Sequence, residues 1–137
     1  MSKVIYIVLI ILIIVGGVIL LLDKKDANIN SKKESSIKYV SMDDIFKIMN
    51  KNEDYIILDV RTIDEYNDGH IPNAICIPNE TIGKDVINKL PNKDQLILIY
   101  CRSGNRSKQA ANKMKNLGYT NLIEFGGIID WKGEIVK

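Results

Sequence analysis

The chain opens with nineteen uncharged residues, Val4 to Leu22, in which only Tyr6, Gly16 and Gly17 interrupt a run of Val, Ile and Leu. As a helix rising about 1.5 Å per residue this stretch would measure roughly 28 Å, close to the thickness of a bilayer's hydrocarbon core. It predicts a transmembrane anchor within residues 1–22. Residues 23–36, DKKDANINSKKESS, are polar apart from Ala27 and Ile29 and predict a flexible tether. A folded body is expected over 37–137. Its pattern begins with a short strand at Ile37 to Val40, then Ser41 as a helix cap with Asp44 as its partner three positions on, and Ile45, Ile48 and Met49 on one helix face. YIILDV at 55–60 and QLILIY at 95–100 are nearly unbroken apolar runs, as expected of buried parallel strands. Between and after them the spacing predicts short helices at 62–66 and 84–90 and a small strand at 74–77. A longer helix is expected at 106–117, stopped by Gly118, then a strand at 121–125 and a short helix near 128–132. Strands alternating with helices predict an α/β fold with a mainly parallel central sheet flanked by helices.

Two alternatives to an anchor follow from the same pattern. A cleaved export signal would have an apolar core of roughly 7 to 15 residues and a small-x-small triplet soon after it; this stretch is longer and lacks the triplet. Lipidation would require a cysteine just beyond the apolar run, where Asp23, Lys24 and Lys25 stand instead. An uncleaved signal-anchor is the better fit. Lysines flank both ends, Lys3 on one side and Lys24, Lys25, Lys32 and Lys33 on the other. The lysine count alone favours a cytoplasmic body, whereas the short basic N terminus before a long apolar run fits an export-type anchor, and a body on the extracytoplasmic side is the expectation.

Charge changes the picture only by exclusion. Of nineteen Lys and Arg only Lys3 precedes residue 23, so eighteen basic side chains face seventeen acidic ones over the rest of the chain. That balance gives no electrostatic basis for nucleic acid binding. His70 is the only histidine, and Cys76 and Cys101 are far apart in sequence, so no zinc-type ligand set is present.

The chemistry concentrates in YCRSGNRS, residues 100–107. Cys101 stands at the carboxyl end of an apolar strand, where open α/β sheets bind ligands, and a helix follows within a few residues. Gly104 and its small polar neighbours let successive N–H groups turn inward, making an anion cradle with a thiol at its floor. Such a field, joined by the guanidinium groups of Arg102 and Arg106, favours thiolate over thiol and makes Cys101 a nucleophile. Phosphatase chemistry would use a similar cradle with cysteine and arginine separated by five residues. Here only Arg102, Ser103, Gly104 and Asn105 lie between Cys101 and Arg106. The tighter loop fits attack on a single sulfur atom better, leaving a phosphatase or arsenate reductase-like enzyme as the weaker alternative.

With the loop read, the body resembles a single-domain rhodanese, a sulfurtransferase. The resemblance runs from about Ile37 to Lys132 and rests on DVRTIDEYNDGHIPNA at 59–74, CRSGNRS at 101–107 and GYTNLIEFGGIIDW at 118–131. It implies that Cys101 takes up sulfane sulfur and that Arg102, Ser103, Gly104, Asn105 and Arg106 form the substrate-binding loop, with Ser107 as structural support behind it. It further implies that Asp59, Arg61, Glu65, Gly69 and His70 belong to a supporting N-terminal motif and Gly126, Gly127 and Trp131 to a C-terminal one. Asn73 departs from the family's usual glycine, and asparagine tolerates the left-handed backbone region. No cofactor is implied. The expected partners are a sulfane-sulfur donor, a thiol or cyanide acceptor, the bilayer through residues 4–22 and a membrane-associated protein. The same motif would also serve a persulfide carrier or redox relay that does not turn over.

Elementary chemistry assigns the supports independently. Asp59 and Arg61 at the end of a buried strand need partners, and an arrangement with Glu65 would supply them. His70 is expected to make a loop hydrogen bond and Trp131 to pack near the loop. Cys76 has two readings: a small core residue between Ile75 and Ile77, or a resolving thiol that condenses with oxidised or persulfidated Cys101.

Overall fold

The computed structural model describes residues 3, 5–8, 10–14, 35–83 and 86–137. The chain divides into two units, residues 1–32 and 33–137. In the first, residues 5–8 and 10–14 are helical with exposed apolar side chains. The expected anchor thus falls partly on described residues, and among these no helix is long and apolar enough to cross a membrane. The remainder of that stretch and the expected tether up to residue 34 lie outside the described residues.

The second unit is a five-stranded, wholly parallel sheet with helices on both faces. In chain order its elements are β1 (Ser36–Tyr39), α1 (Met42–Lys51), β2 (Tyr55–Asp59), α2 (Ile63–Asp68) and β3 (Ile75–Cys76), then a 3-10 turn at Asn79–Thr81. There follow α3 (Val86–Lys89), β4 (Leu96–Cys101), α4 (Asn105–Asn116), β5 (Asn121–Gly127) and a closing 3-10 turn at Ile128–Asp130. The strand order is β1-β5-β4-β2-β3. The two apolar runs, β2 and β4, therefore lie side by side near the centre, with Tyr55 opposite Leu96 and Asp59 opposite Tyr100.

Because side chains alternate across a strand, the sheet has two cores. One face carries Leu58, Val60, Ile97, Ile99, Cys101 and Leu122 against Ala110, Ala111 and Met114 of α4. The other carries Ile57, Leu98, Tyr100, Ile123 and Phe125 against Ile45 of α1. The expected cap on α1 forms, with Ser41 Oγ accepting the Asp44 N–H at 3.2 Å. A second cap comes from Thr62, whose hydroxyl accepts the Glu65 N–H while the Glu65 carboxylate accepts the Thr62 N–H. This reciprocal arrangement starts α2 directly after the polar end of β2. Asn73 adopts φ 64°, the left-handed conformation its side chain tolerates.

One boundary is longer than the sequence pattern predicts. β5 continues past Phe125 through Gly126 and Gly127, and its pairing with β4 shifts register, from Ile99 opposite Glu124 to Cys101 opposite Gly127. The paired glycines make this passage feasible: a Cβ on Gly127 would sit 2.1 Å from the Arg102 carbonyl oxygen. β5 thus runs directly beneath the loop that follows Cys101.

Candidate active site

Cys101 is the last residue of β4 and is 1% exposed. The chain then turns through Arg102 and Ser103 into Gly104, which caps α4 in the left-handed region at φ 105°. That conformation, which glycine adopts without steric cost, aims the Gly104 N–H at the sulfur, 3.0 Å from Cys101 Sγ. Burial alone pushes the thiol's pKa up. Hydrogen bonds from the Ser107 side chain and from the backbone N–H groups of Ser107, Gly104 and Ser103 outweigh it, so the net shift is downward. The cradle expected from the sequence is therefore present, supplied by the Ser107 hydroxyl and by backbone N–H groups together.

The arginines divide the remaining work differently from the sequence expectation. Arg106 is turned to Glu65 on α2 in a two-pronged ion pair, Nη1 to Oε2 at 2.7 Å and Nη2 to Oε1 at 2.8 Å. Its hydrogen bond is the largest influence holding the Glu65 carboxyl down at about 2. Glu65 thus serves Arg106, 41 residues away, and not the Asp59–Arg61 pair as expected. The same carboxylate also accepts the Thr62 N–H, which fixes it at the start of α2. Arg102 stays exposed and, with Arg61, Glu65, Asp68, Ile128 and Ile129, lines a shallow cleft of about 270 Å³ beside the loop.

Asp59 and Arg61 pair with each other. Arg61 Nε lies 3.0 Å from both Asp59 oxygens, Nη2 donates to Oδ2 at 2.6 Å, and Nη2 also donates to the Gly69 carbonyl at 2.7 Å. The Tyr100 hydroxyl donates to Asp59 Oδ2 at 2.6 Å and accepts the Ile71 N–H at 3.2 Å. Both charges are buried, yet every Asp59 oxygen has a donor, which is the condition under which such a pair is tolerated. The pair ties the end of β2 to the Gly69 turn, one strand away from the thiol. His70 belongs to the same turn: its ring stacks on Tyr66 at 3.7 Å, Nδ1 lies 2.9 Å from the Tyr66 carbonyl, and its backbone bridges Val136.

Trp131 is not on the thiol's side of the sheet. It stacks on Phe46 of α1 at 4.6 Å and belongs to the core on the other face, so the expected packing near the loop is replaced by packing against α1. The register shift and the 3-10 turn after Gly127 carry the chain round to that face. Cys76 lies opposite Asp59 on β3, while Asp59 lies opposite Tyr100 on β4. Cys76 therefore shares the Tyr100 face and stands two strands from Cys101, which faces the other way. Two strand spacings amount to roughly 10 Å, against a Cα separation of about 7 Å or less for a disulfide. Its thiol donates to the Arg61 carbonyl at 3.6 Å, and burial, assisted by nearby Asp59, pushes its pKa up to about 11. This placement favours the packing reading of Cys76 over the resolving one.

Two residues that sequence reasoning assigns no role join the site. Tyr100 satisfies Asp59 from the strand that delivers Cys101. Glu124, only 3% exposed in the middle of β5, accepts the Ser107 hydroxyl at 2.5 Å and the Gly126 N–H at 2.9 Å with one oxygen, Oε1. A single carboxylate inside LIEFGG was its signal in the sequence, since a charge in a buried strand requires dedicated donors.

Comparison with known proteins agrees with this geometry. The family model of the rhodanese-like domain matches residues 42–134. The chain is 36% identical over 112 residues to the Putative sulfur carrier protein YrkF of Bacillus subtilis (strain 168), covering 81% of this chain and 60% of that protein. It is 32% identical over 73 residues to the Thiosulfate sulfurtransferase PspE of Escherichia coli (strain K12), covering 53% of this chain and 70% of the relative. Among solved structures, a rhodanese with anions from E. coli superposes with a TM-score of 0.57 at 30% identity, covering 61% of this chain and 98% of that one.

Proposed function

Because this chain belongs to the rhodanese-like domain family, we propose that it is a sulfurtransferase that carries sulfane sulfur on Cys101, taking it from thiosulfate or a persulfide and giving it to a thiol or to cyanide. The observation that carries the reading is the buried Cys101 sulfur facing inward-pointing N–H groups, with Gly104 N at 3.0 Å and a thiol pKa below its ordinary value. With thiosulfate, the Cys101 thiolate attacks the outer sulfur. A new sulfur–sulfur bond forms to Sγ, the donor's sulfur–sulfur bond breaks, and sulfite departs with its electron pair. The anionic outer sulfur of the persulfide would then face the same N–H groups, which need not rearrange to receive it. An acceptor thiolate or cyanide attacks that outer sulfur and returns the electron pair to Cys101. An ionised Cys101 needs no separate base, which accords with His70 being engaged with Tyr66.

Arg106 bears on the phosphatase alternative. A phosphate cradle would use that guanidinium to hold the oxyanion, whereas here both of its prongs engage Glu65. A carrier that hands sulfur to a protein partner remains the second reading, supported by the name of the YrkF relative.

The anchor belongs to the same proposal. Ile5, Ile7, Val8 and residues 10–14 are apolar and exposed on helical backbone, and a helix that is apolar all round requires lipid or a partner to cover it. We place the sulfur chemistry at a membrane surface, with the body on the extracytoplasmic side. A reporter fused to the body and active on one side of the membrane tests the placement; cytoplasmic activity would refute the side chosen. The activity itself is tested by thiocyanate formation from thiosulfate and cyanide. Turnover by the wild-type chain and none by Cys101→Ser supports transfer. Hydrolysis of phosphate esters or reduction of arsenate without any sulfur uptake would overturn it.

A further inference from the structure

The cleft beside the active loop, about 270 Å³ in volume, is lined by four charged residues, of which two already have partners. Arg61 is held by Asp59 and the Gly69 carbonyl, and Glu65 by Arg106. The other two are Asp68, the last residue of α2, and Arg102, the residue after Cys101; both are exposed. Among the described residues neither enters an ion pair, with each other or with any other group. One carboxylate and one guanidinium thus line the same cleft without neutralising each other. The rest of the lining is apolar: Ile128 and Ile129, the latter 62% exposed, with the Ile129 N–H donating to the Arg102 carbonyl at 3.3 Å.

We infer that this cleft seats the sulfur acceptor and that the acceptor is a small zwitterionic thiol of the α-amino-acid class, its carboxylate on Arg102 and its ammonium on Asp68. The inference rests on Cys101 carrying the persulfide and names the kind of thiol that discharges it. The cleft adjoins the loop at two places, through Arg102 next to Cys101 and through Glu65, whose partner Arg106 lies close enough to feel the Cys101 charge. Its volume is below the roughly 300–1,000 Å³ of pockets for drug-sized ligands, which suits a molecule of a few heavy atoms. An anion such as thiosulfate finds only Arg102 there and is opposed by Asp68, whereas a ligand bearing both charges satisfies both residues. In cysteine the ammonium and the carboxylate stand on one carbon, next to the carbon that bears the sulfur. Fixing both charges therefore also fixes the direction of the sulfur. In the transfer step the acceptor, its thiol proton already lost to solvent, attacks the outer sulfur of the Cys101 persulfide. A sulfur–sulfur bond forms to the acceptor, the bond to Cys101 Sγ breaks, and its electron pair returns to Cys101 as the thiolate.

The test loads the full-length chain in mild detergent with thiosulfate, removes the excess, and verifies the added sulfur on Cys101 by mass spectrometry. Loss of that sulfur is then timed at subsaturating concentrations of four acceptors: L-cysteine, cysteamine without the carboxylate, mercaptopropionate without the ammonium, and mercaptoethanol with neither. Rates are expressed per thiolate and corrected for acceptor basicity along a Brønsted slope of about 0.4–0.5. L-cysteine is expected to discharge Cys101 about fivefold faster than either acceptor that lacks one charge, the effect of losing one partly exposed ion pair. Arg102→Gln should erase the advantage of L-cysteine over cysteamine and keep its advantage over mercaptopropionate; Asp68→Asn should do the reverse. Equal rates with all four acceptors overturn the inference, and that measurement needs only the wild-type chain. So does a pattern in which each substitution slows all four acceptors alike, the mark of a merely structural role. A folded chain that takes up no sulfur overturns the underlying reading and this inference together, and is thereby told apart from a loaded chain that does not discriminate.

Discussion

The two cysteines end strands of one sheet that lie two apart, and they meet opposite electrostatic fates. Cys101 closes the central strand β4, where the chain turns over itself and three N–H groups come back to the sulfur. Cys76 closes the two-residue strand β3, where its thiol donates to the Arg61 carbonyl oxygen and the nearby carboxylate is Asp59. Burial raises both thiols. Only at Cys101 do donors outweigh that penalty, so the loop geometry, not depth, separates a thiol held below its ordinary pKa from one pushed above it.

The largest effect that could break this contrast is on turnover. Cys101→Ser should reduce sulfur transfer by at least about a thousandfold, in the range expected when a covalent nucleophile is removed. Cys76→Ser should leave the rate within about twofold and leave the intermediates formed under limiting donor unchanged. A Cys76→Ser variant that accumulates oxidised Cys101 would restore the resolving role. Next in size is the cost of exposing the framework between the two thiols. Arg61→Ala leaves Asp59 buried without its cation and should cost about 3–5 kcal/mol of unfolding free energy in urea titrations. Arg106→Ala breaks a pair whose side chains are 27% and 31% exposed and should cost about 1 kcal/mol or less. Equal costs would mean that the buried pair contributes nothing special to the architecture beside β2.

A smaller effect concerns chemical reactivity at neutral pH. With a pKa of about 11, Cys76 carries a thiolate in only about one molecule in ten thousand at pH 7. Iodoacetamide should therefore label Cys101 at least about a hundredfold faster, as read from the two peptides. The smallest effect is on acid stability. Glu65 has a folded pKa of about 2 against an ordinary value of 4.5. Because the folded value is depressed, its contribution is complete above the ordinary value and disappears as pH falls from about 4.5 toward 2. Glu65→Gln should flatten the loss of stability over that window in acid titrations monitored by circular dichroism. An unchanged profile would show that the Arg106 pair adds no net stability.

Much of this organisation was legible because buried parallel strands announce themselves. YIILDV and QLILIY need no partner to be recognised, and Gly104 after Cys101 marks the turn that aims N–H groups at the sulfur. The local cap at Ser41 is equally readable, since its partner lies three residues on; Thr62, expected inside its helix, caps it instead. What the pattern leaves open is pairing over distance. Nothing near Glu65 in the sequence indicates Arg106 as its partner in preference to Arg61, because the choice depends on where α2 meets the start of α4. Trp131 shows the same limitation: a register shift between Cys101 and Gly127 decides which face the following turn reaches. Glu124 was visible as a charge in an apolar strand, but its role depends on Ser107 coming from a different element.

In the proposed cycle one thiol, Cys101, carries the transferred sulfur. Its most direct test treats the folded full-length chain with limiting thiosulfate or an organic persulfide, maps both cysteine peptides by mass spectrometry, and then adds cyanide. One added sulfur atom is expected on Cys101 and none on Cys76, with loss of the adduct and release of thiocyanate on adding cyanide. A folded protein with an ionised Cys101 that gains no sulfur there, or that gains it equally on Cys76, would contradict it.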